Sequence, residues 1–326
     1  MLKPDPRHLS AGLGIIAACK ARTGDIWEAH YGAAAIASYL FRRDNGLSAA
    51  AESAVANQTE RMIAAHALRG DDHASITGSA GEMPRGDAER EIVQALGGTL
   101  DGLHWVGHNF IYSALAIAAL RELGTWGTAD DVGGIAALVR SFKGTIPGRS
   151  WIGFRVSEVK RLAREADSET EGIGSPTQLS GLVLTELAVF KRIYRAEAHH
   201  DLIGHTLTFS HALNLLHDCG YGDLFRAGLP QLLAMVKVLR ASRELDMDGD
   251  VQLVSPVDRL PLRLAPRSDW LPTEEAYWTE DHAADDWDFG HAFKFPCSFY
   301  DHLRRAADFP RDAAVENFRY IVPAGC

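Results

Sequence analysis

Apolar residues return every three or four positions along most of this chain, and that period restricts its fold more than any other feature. Four segments carry it clearly: GGIAALVRSFK (133–143), FRVSEVKRLAREA (154–166), SGLVLTELAVFKRIYRAEA (180–198) and LPQLLAMVKVLRASREL (229–245). On a helix such spacing gathers the apolar side chains on one face. Alternation with a period of two, the mark of a half-buried strand, is scarce. Its best example, VQLVSPVDRLPLRL (251–264), holds two prolines that demote it. The chain is therefore expected to be all-α, a single domain over 1–326 made of repeated helical hairpins. The segment 246–290, rich in Asp, Pro and Trp, reads as an irregular insertion or lid before the last helix. The stretch RGDDHASITGSAGEMPRGDA (69–88) reads as a mobile polar loop.

Composition narrows the function. With 46% hydrophobic and 23% charged residues, 326 residues can bury a sizeable core. A net charge of −10 argues against nucleic acid, whose phosphates need a basic face. No apolar run reaches the ~18–20 residues that span a bilayer. The start, MLKPDPRHLS, lacks the basic-then-apolar order of a signal peptide. Cys19, Cys219, Cys297 and Cys326 are far apart, which speaks against a zinc ribbon or a disulfide framework. A reduced, cytoplasmic protein is the expectation, with a small-molecule partner and with self-association left open.

One internal comparison stands out. GHNFIYSALAIAALRELG (107–124) and GHTLTFSHALNLLHDCG (204–220) both open Gly-His and both place an aromatic and a serine after the histidine. Weaker copies are AHYGAAAIASYLFRRDNG (29–46) and GHAFKFPCSFYDHL (290–303). Recurring helical hairpins stack on one another, which predicts a toroid- or solenoid-like arrangement. His30, His108, His205 and His291 would then hold equivalent places around a shared cavity. The alternative is chance similarity among amphipathic helices of a histidine-rich chain.

Other motifs weigh less. GLGIIA (12–17) matches a dinucleotide fingerprint but follows no strand, so it reads as a helix start. DFG (288–290) lacks every other kinase element, and DMDGD (246–250) has Val257 where a calcium loop needs Glu. LLHDCG (215–220) suggests a metal phosphohydrolase, yet it falls at a generic helix end where His217 complements the dipole. His104 and His108 are four apart, as metal ligands on one helical face are, and Glu197, Asp201 and His205 repeat that step. The plainer alternative is a set of hydrogen-bonded or solvated polar residues. His66, His73, His199 and His200 read as surface residues.

The segment DWDFGHAFKFPCSFYDHL (286–303) is unusual in placing histidine, lysine and acids among aromatics. His291 and Lys294 would share a helical face, with Asp288 three residues earlier. Such a trio could polarise a carbonyl or phenolate oxygen, or move a proton. Pro296 places a helix start or a kink beside the pair. The plainer reading is a docking segment with a rim salt bridge.

HAFKFPCSFYDHLRRAADFPRDAAVENFRYIV resembles the end of the questin oxidase-like family, in which a His-x-x-Lys-aromatic segment opens a late helix. His291, Lys294 and Phe295 carry the match; Pro296 and the acidic-aromatic lead-in depart from it. The resemblance implies a helical enzyme of fungal aromatic polyketide pathways. It implies Baeyer–Villiger-type opening of anthraquinone rings, with NADPH as reductant.

The leading expectation is an oxidative enzyme for an aromatic or polycyclic small molecule. Trp105, Tyr112, Phe209, Phe293 and Phe295 would stack on the substrate, with His30 and Asp288 beside it. His108, His205 and His291 would act as acid, base or oxyanion partner, and Lys294 would polarise a carbonyl. A second expectation is a metal-dependent hydrolase or oxygenase using His104, His108, Asp201 and His205. A third is a non-catalytic helical repeat protein that binds a ligand or serves as a scaffold.

Overall fold

The structure is a computed structural model that describes residues 4–66, 81–164, 168–243, 252–284 and 289–324. Helices account for nearly all its regular structure, as the apolar period predicts. Among the described residues the named strands are two, each of two residues: β1 (Trp151–Ile152) and β2 (Leu253–Val254), paired antiparallel with Trp151 opposite Val254.

The chain condenses into two compact units, each made from separate segments. The first comprises Met1–Thr99, Ile111–Phe142 and Leu271–Cys297; the second comprises Leu100–Phe110, Lys143–Trp270 and Ser298–Cys326.

In the first unit α1 (Arg7–Thr23) packs on α2 (Ala29–Asp44), and α2 packs on α3 (Ala49–His66). The α1–α2 crossing is close because glycines meet there. A Cβ on Gly12 would fall 2.7 Å from the Gly32 carbonyl oxygen, and one on Gly32 would fall 2.5 Å from that of Gly12. GLGIIA thus lies inside α1, not at its start, and its first glycine serves helix packing. Further along come α4 (Arg85–Gly97), α5 (His108–Leu123), of which residues from Ile111 on belong to this unit, and α6 (Ala129–Arg140). α6 starts with a complete capping box, Thr128 and Asp131 each bonding the other's backbone N–H. α4 takes up residues 85–88 of the expected polar loop, while 67–80 lie outside the described residues. Between α2 and α3, Ser38 and Thr59 bond at 2.6 Å. Gln58 of α3 ties down the 271–284 segment, donating to the carbonyls of Trp278 and Glu280 and accepting from the His282 N–H.

In the second unit α7 (Val156–Leu162) is shorter than its pattern suggests, and α8 spans Pro176–Ala188. The helical spacing over 180–198 therefore misleads in its second half. After Ala188 the chain instead pairs with the segment near 264: Tyr194 bridges Leu264, and Ile193 and Tyr194 are buried. α9 (Leu202–Asp218) packs against α8 and α10 (Gly222–Ser242). His217 and Asp218 close α9, as their place at a helix end implies. α11 (His291–Arg305), whose residues to Cys297 belong to the first unit, includes Pro296 without interruption, and a short α12 (Asp312–Phe318) follows it. Residues 252–284 are irregular apart from β2 and 3-10 turns; 246–251 and 285–288 lie outside the described residues.

Candidate functional site

Each unit holds a close pair of buried histidines in ring contact, and the second unit adds a looser pair, His211 and His302, with centroids 6.3 Å apart. In the first unit the pair is His30 and His291. α2 opens at Ala29, so His30 occupies its first turn. His291 is the first residue of α11, and the turn before it is unusual: Phe289 has φ 48° and Gly290 φ 70°. A Cβ on Gly290 would fall 2.5 Å from Ala34 Cβ, so glycine is needed both for its left-handed backbone and for its closeness to α2.

The His30 and His291 ring centroids are 5.9 Å apart. Around His30 lie Trp27 at 5.5 Å, Phe289 at 5.6 Å and Tyr112 at 5.7 Å. His291 stacks on Phe295, centroids 4.4 Å apart and planes within 12°. Lys294, one turn along α11, is only 4% exposed.

The hydrogen bonds around His30 assign its tautomer. Tyr112 Oη lies 2.6 Å from His30 Nδ1 and 3.2 Å from the Ile26 carbonyl oxygen. A carbonyl can only accept, so the phenol hydrogen goes to Ile26 and the phenol oxygen accepts from His30 Nδ1–H. That leaves the lone pair on Nε2. Burial first, then the negative potential of Cys19 and Asp25, push the Tyr112 phenol well above the usual tyrosine value. Tyr112 thus stays a neutral hydrogen-bonding group.

In the second unit the close pair is His108 and His205, centroids 4.9 Å apart in an edge-to-face arrangement. His108 also follows a left-handed turn: Trp105, Val106 and Gly107 have φ of 40°, 50° and 91°. Hydrogen bonds from Trp105 N–H to Ile146 O (2.8 Å) and from Val106 N–H to Pro147 O (2.7 Å) hold it. Gly107 leaves room for Phe209, whose ring would sit 2.5 Å from a Cβ there. His108 Nδ1 donates to the Trp105 carbonyl. His205 Nδ1 donates to the Asp201 carbonyl at 2.8 Å, with an Asp201 carboxylate oxygen 3.3 Å away. Both rings therefore carry a proton on Nδ1, the arrangement in which backbone and carboxylate acceptors orient metal-binding or basic imidazoles.

The expected His104–His108 helical face is not formed. His104 is extended, and the left-handed turn separates the two. Both ring nitrogens of His104 are engaged, Nε2 with Asp101 at 3.2 Å and Nδ1 with Thr145 at 3.3 Å. Glu197 pairs with Arg149 at 2.9 Å, while burial pushes its carboxyl up. The wide turn Glu197–Asp201 leads into α9 and is anchored by Asp258, whose carboxylate accepts from Glu197 N–H (3.0 Å) and Ala198 N–H (2.9 Å).

The predicted aromatics divide. Tyr112 and Phe295 touch the first pair. Phe209 packs on Gly107 and Phe110, and Phe293 packs on Trp278, with both rings almost fully buried. Trp105 supplies its carbonyl to His108. Asp288 lies outside the described residues, as does His73. His199, expected at the surface, is fully buried, and burial depresses its imidazole to about 3. His66 is half-buried and stacks on Tyr31 at 3.5 Å. Trp27 and Phe289 escaped the sequence reading, although Phe289 immediately precedes the Gly-His pair.

No family model, no curated protein and no solved structure matches this chain. Among the described residues no helix is long and apolar enough to cross a membrane.

Proposed function

We propose that the chain is an enzyme that oxidises an aromatic or polycyclic small molecule, with His30 and His291 as its proton-transfer pair. The observation that carries this reading is the buried pair itself, 5.9 Å apart and edged by Trp27, Tyr112, Phe289 and Phe295. Apolar walls with a few convergent polar groups are what a flat aromatic ligand needs. The fixed tautomer of His30 presents a base at Nε2, and Lys294, on the same face of α11 as His291, polarises a carbonyl oxygen. The oxidative, Baeyer–Villiger character comes from the resemblance of the His291–Phe295 segment alone. NADPH enters only by that route: GLGIIA offers no pyrophosphate cradle, because Gly12 is packed against the Gly32 backbone.

The test is turnover of hydroxyanthraquinones in air with NADPH, followed as gain of one oxygen atom by mass spectrometry. Loss of a positioned acid or base costs about 10²-fold or more. His291→Ala and Lys294→Ala should each show that loss. Unchanged rates in both variants would sink the assignment.

A second reading, a metal-dependent activity, is favoured by the shared tautomer of His108 and His205. It no longer includes His104. Stoichiometric zinc or a transition metal that disappears in His205→Ala supports it. Metal-free protein with full activity removes it.

A further inference from the structure

The second unit carries a cleft of about 340 Å³ lined by Arg195, Arg259 and Arg263, with Asp258 and the apolar side chains of Leu260 and Leu262. Its volume is in the range of small-ligand sites. The backbone explains why two of these arginines are together. Tyr194 pairs antiparallel with Leu264, Arg195 N–H donates to the Arg263 carbonyl at 2.8 Å, and Ala265 N–H donates to the Ile193 carbonyl at 2.8 Å. That register puts Arg195 directly across from Arg263, side chains on the same exposed face.

Like charges directly opposed across a ladder are destabilising. Among the described residues, no carboxylate lies within ion-pair distance of the guanidiniums of Arg195, Arg259 or Arg263. The one acid in the lining, Asp258, is occupied with Glu197 N–H, Ala198 N–H and Ser150 Oγ–H. Among the described residues Arg259 bonds the adjacent Asp258 carbonyl, at 2.9 Å. A chain of net charge −10 thus sets three guanidiniums against one carboxylate at one concave place.

We propose that this cleft binds a small organic phosphate. Three planar guanidiniums match the several oxygens and near-double charge of a phosphate monoester better than the single fork of a carboxylate. Leu260 and Leu262 give the organic part of the ligand an apolar neighbour. The site is independent of the histidine pairs and of any activity assigned to them.

The experiment is calorimetric titration of the full chain with phenyl phosphate, inorganic phosphate and benzoate at low salt. Phenyl phosphate is expected to bind most tightly and inorganic phosphate more weakly. Benzoate is expected to bind weakest. Arg195→Gln and Arg263→Gln should each weaken phenyl phosphate by ~10-fold or more, since a charge-assisted bidentate contact is lost. Both positions are exposed, so the variants should fold, and their thermal midpoints without ligand should not fall. A midpoint that drops without ligand would instead give the arginines a structural role and count against the site. Absence of binding up to ~10 mM, weaker than any useful affinity, would overturn the proposal. So would equal binding by the Arg195→Gln/Arg263→Gln double variant. Adsorption to phosphatidylserine vesicles that phenyl phosphate fails to displace would assign the patch to a lipid surface and reject the small-molecule reading.

Discussion

His30 Nδ1 and Tyr112 Oη share a 2.6 Å hydrogen bond, although 82 residues separate them in the chain. The bond fixes which nitrogen of a buried imidazole carries the proton. Tyr112→Phe removes the acceptor and leaves the Nδ1–H unsatisfied in a buried place, at a cost of about 1–3 kcal/mol. Denaturant unfolding should register that loss. Nitrogen-15 NMR of the imidazoles should show His30 leaving its Nδ1–H form. An unchanged tautomer would mean that the phenol does not set it.

Neighbouring glycines of α6 should respond in opposite directions. A Cβ on Gly133 meets nothing within 4 Å, whereas one on Gly134 would fall 2.5 Å from the Ala17 carbonyl oxygen of α1. Gly133→Ala should stabilise by about 0.5–1 kcal/mol through lower backbone entropy in the unfolded chain. Gly134→Ala should destabilise by about 1–3 kcal/mol by overpacking the helix crossing. Urea midpoints of the two variants check both signs at once.

The apolar period exposed the helices because local spacing and burial agree over most of the chain. It misled where tertiary pairing overrides spacing. Ile193 and Tyr194 fit a helical face, yet they are buried beside residues 262–265 as an extended segment. The recurring Gly-His pairs are visible in the sequence, but they do not mark one shared geometry. Gly107 and Gly290 are left-handed residues that launch helices at His108 and His291, while Gly204 lies inside α9, which starts at Leu202. The sequence paired 107 with 204 because their following residues match. The backbone pairs 107 with 290, since each glycine follows a non-glycine residue of positive φ, Val106 or Phe289. Contacts such as Trp27 with Phe289 leave no trace in spacing, because only the folded chain brings them to 5.9 Å.

Acid should unfold the protein through buried neutral histidines, His302 and His199 among them. The His302 ring is fully buried, with Nδ1 accepting from Ser180 Oγ–H at 2.9 Å and Nε2–H donating to the Leu207 carbonyl at 3.0 Å. Burial depresses it from 6.5 to about 4, despite the attraction of nearby Asp301. The unfolded chain therefore binds more protons than the folded one between those values. The stabilisation is complete above the unfolded value and is lost as pH falls through about 4, an effect of roughly 3 kcal/mol. Burial alone would raise the Asp301 carboxyl, but His211, Arg305 and His302 outweigh it and hold it at about 2. Asp301 thus adds a further loss at still lower pH. Urea midpoints should be level near neutrality and fall below pH 6.5, and His302→Gln should make that fall shallower, with the remainder carried by His199, which burial depresses to about 3. An equally steep fall in the variant would place the acid sensitivity elsewhere.

Gly290 should be far less replaceable than Gly24, although both have left-handed backbones, φ 70° and 73°. A side chain on Gly24 meets open space, so Gly24→Ala should cost only the backbone strain, about 1–2 kcal/mol. Gly290→Ala carries that strain and also drives a methyl group to 2.5 Å from Ala34 Cβ, adding about 1–3 kcal/mol. Relief requires the start of α11 to move off α2, and His291 is the first residue of that helix. The extra loss should therefore come with a changed His291 imidazole signal, while the His66 signal stays in place. If Gly290→Ala costs no more than Gly24→Ala, the left-handed backbone alone explains the glycine. The close approach to α2 would then not be what positions His291.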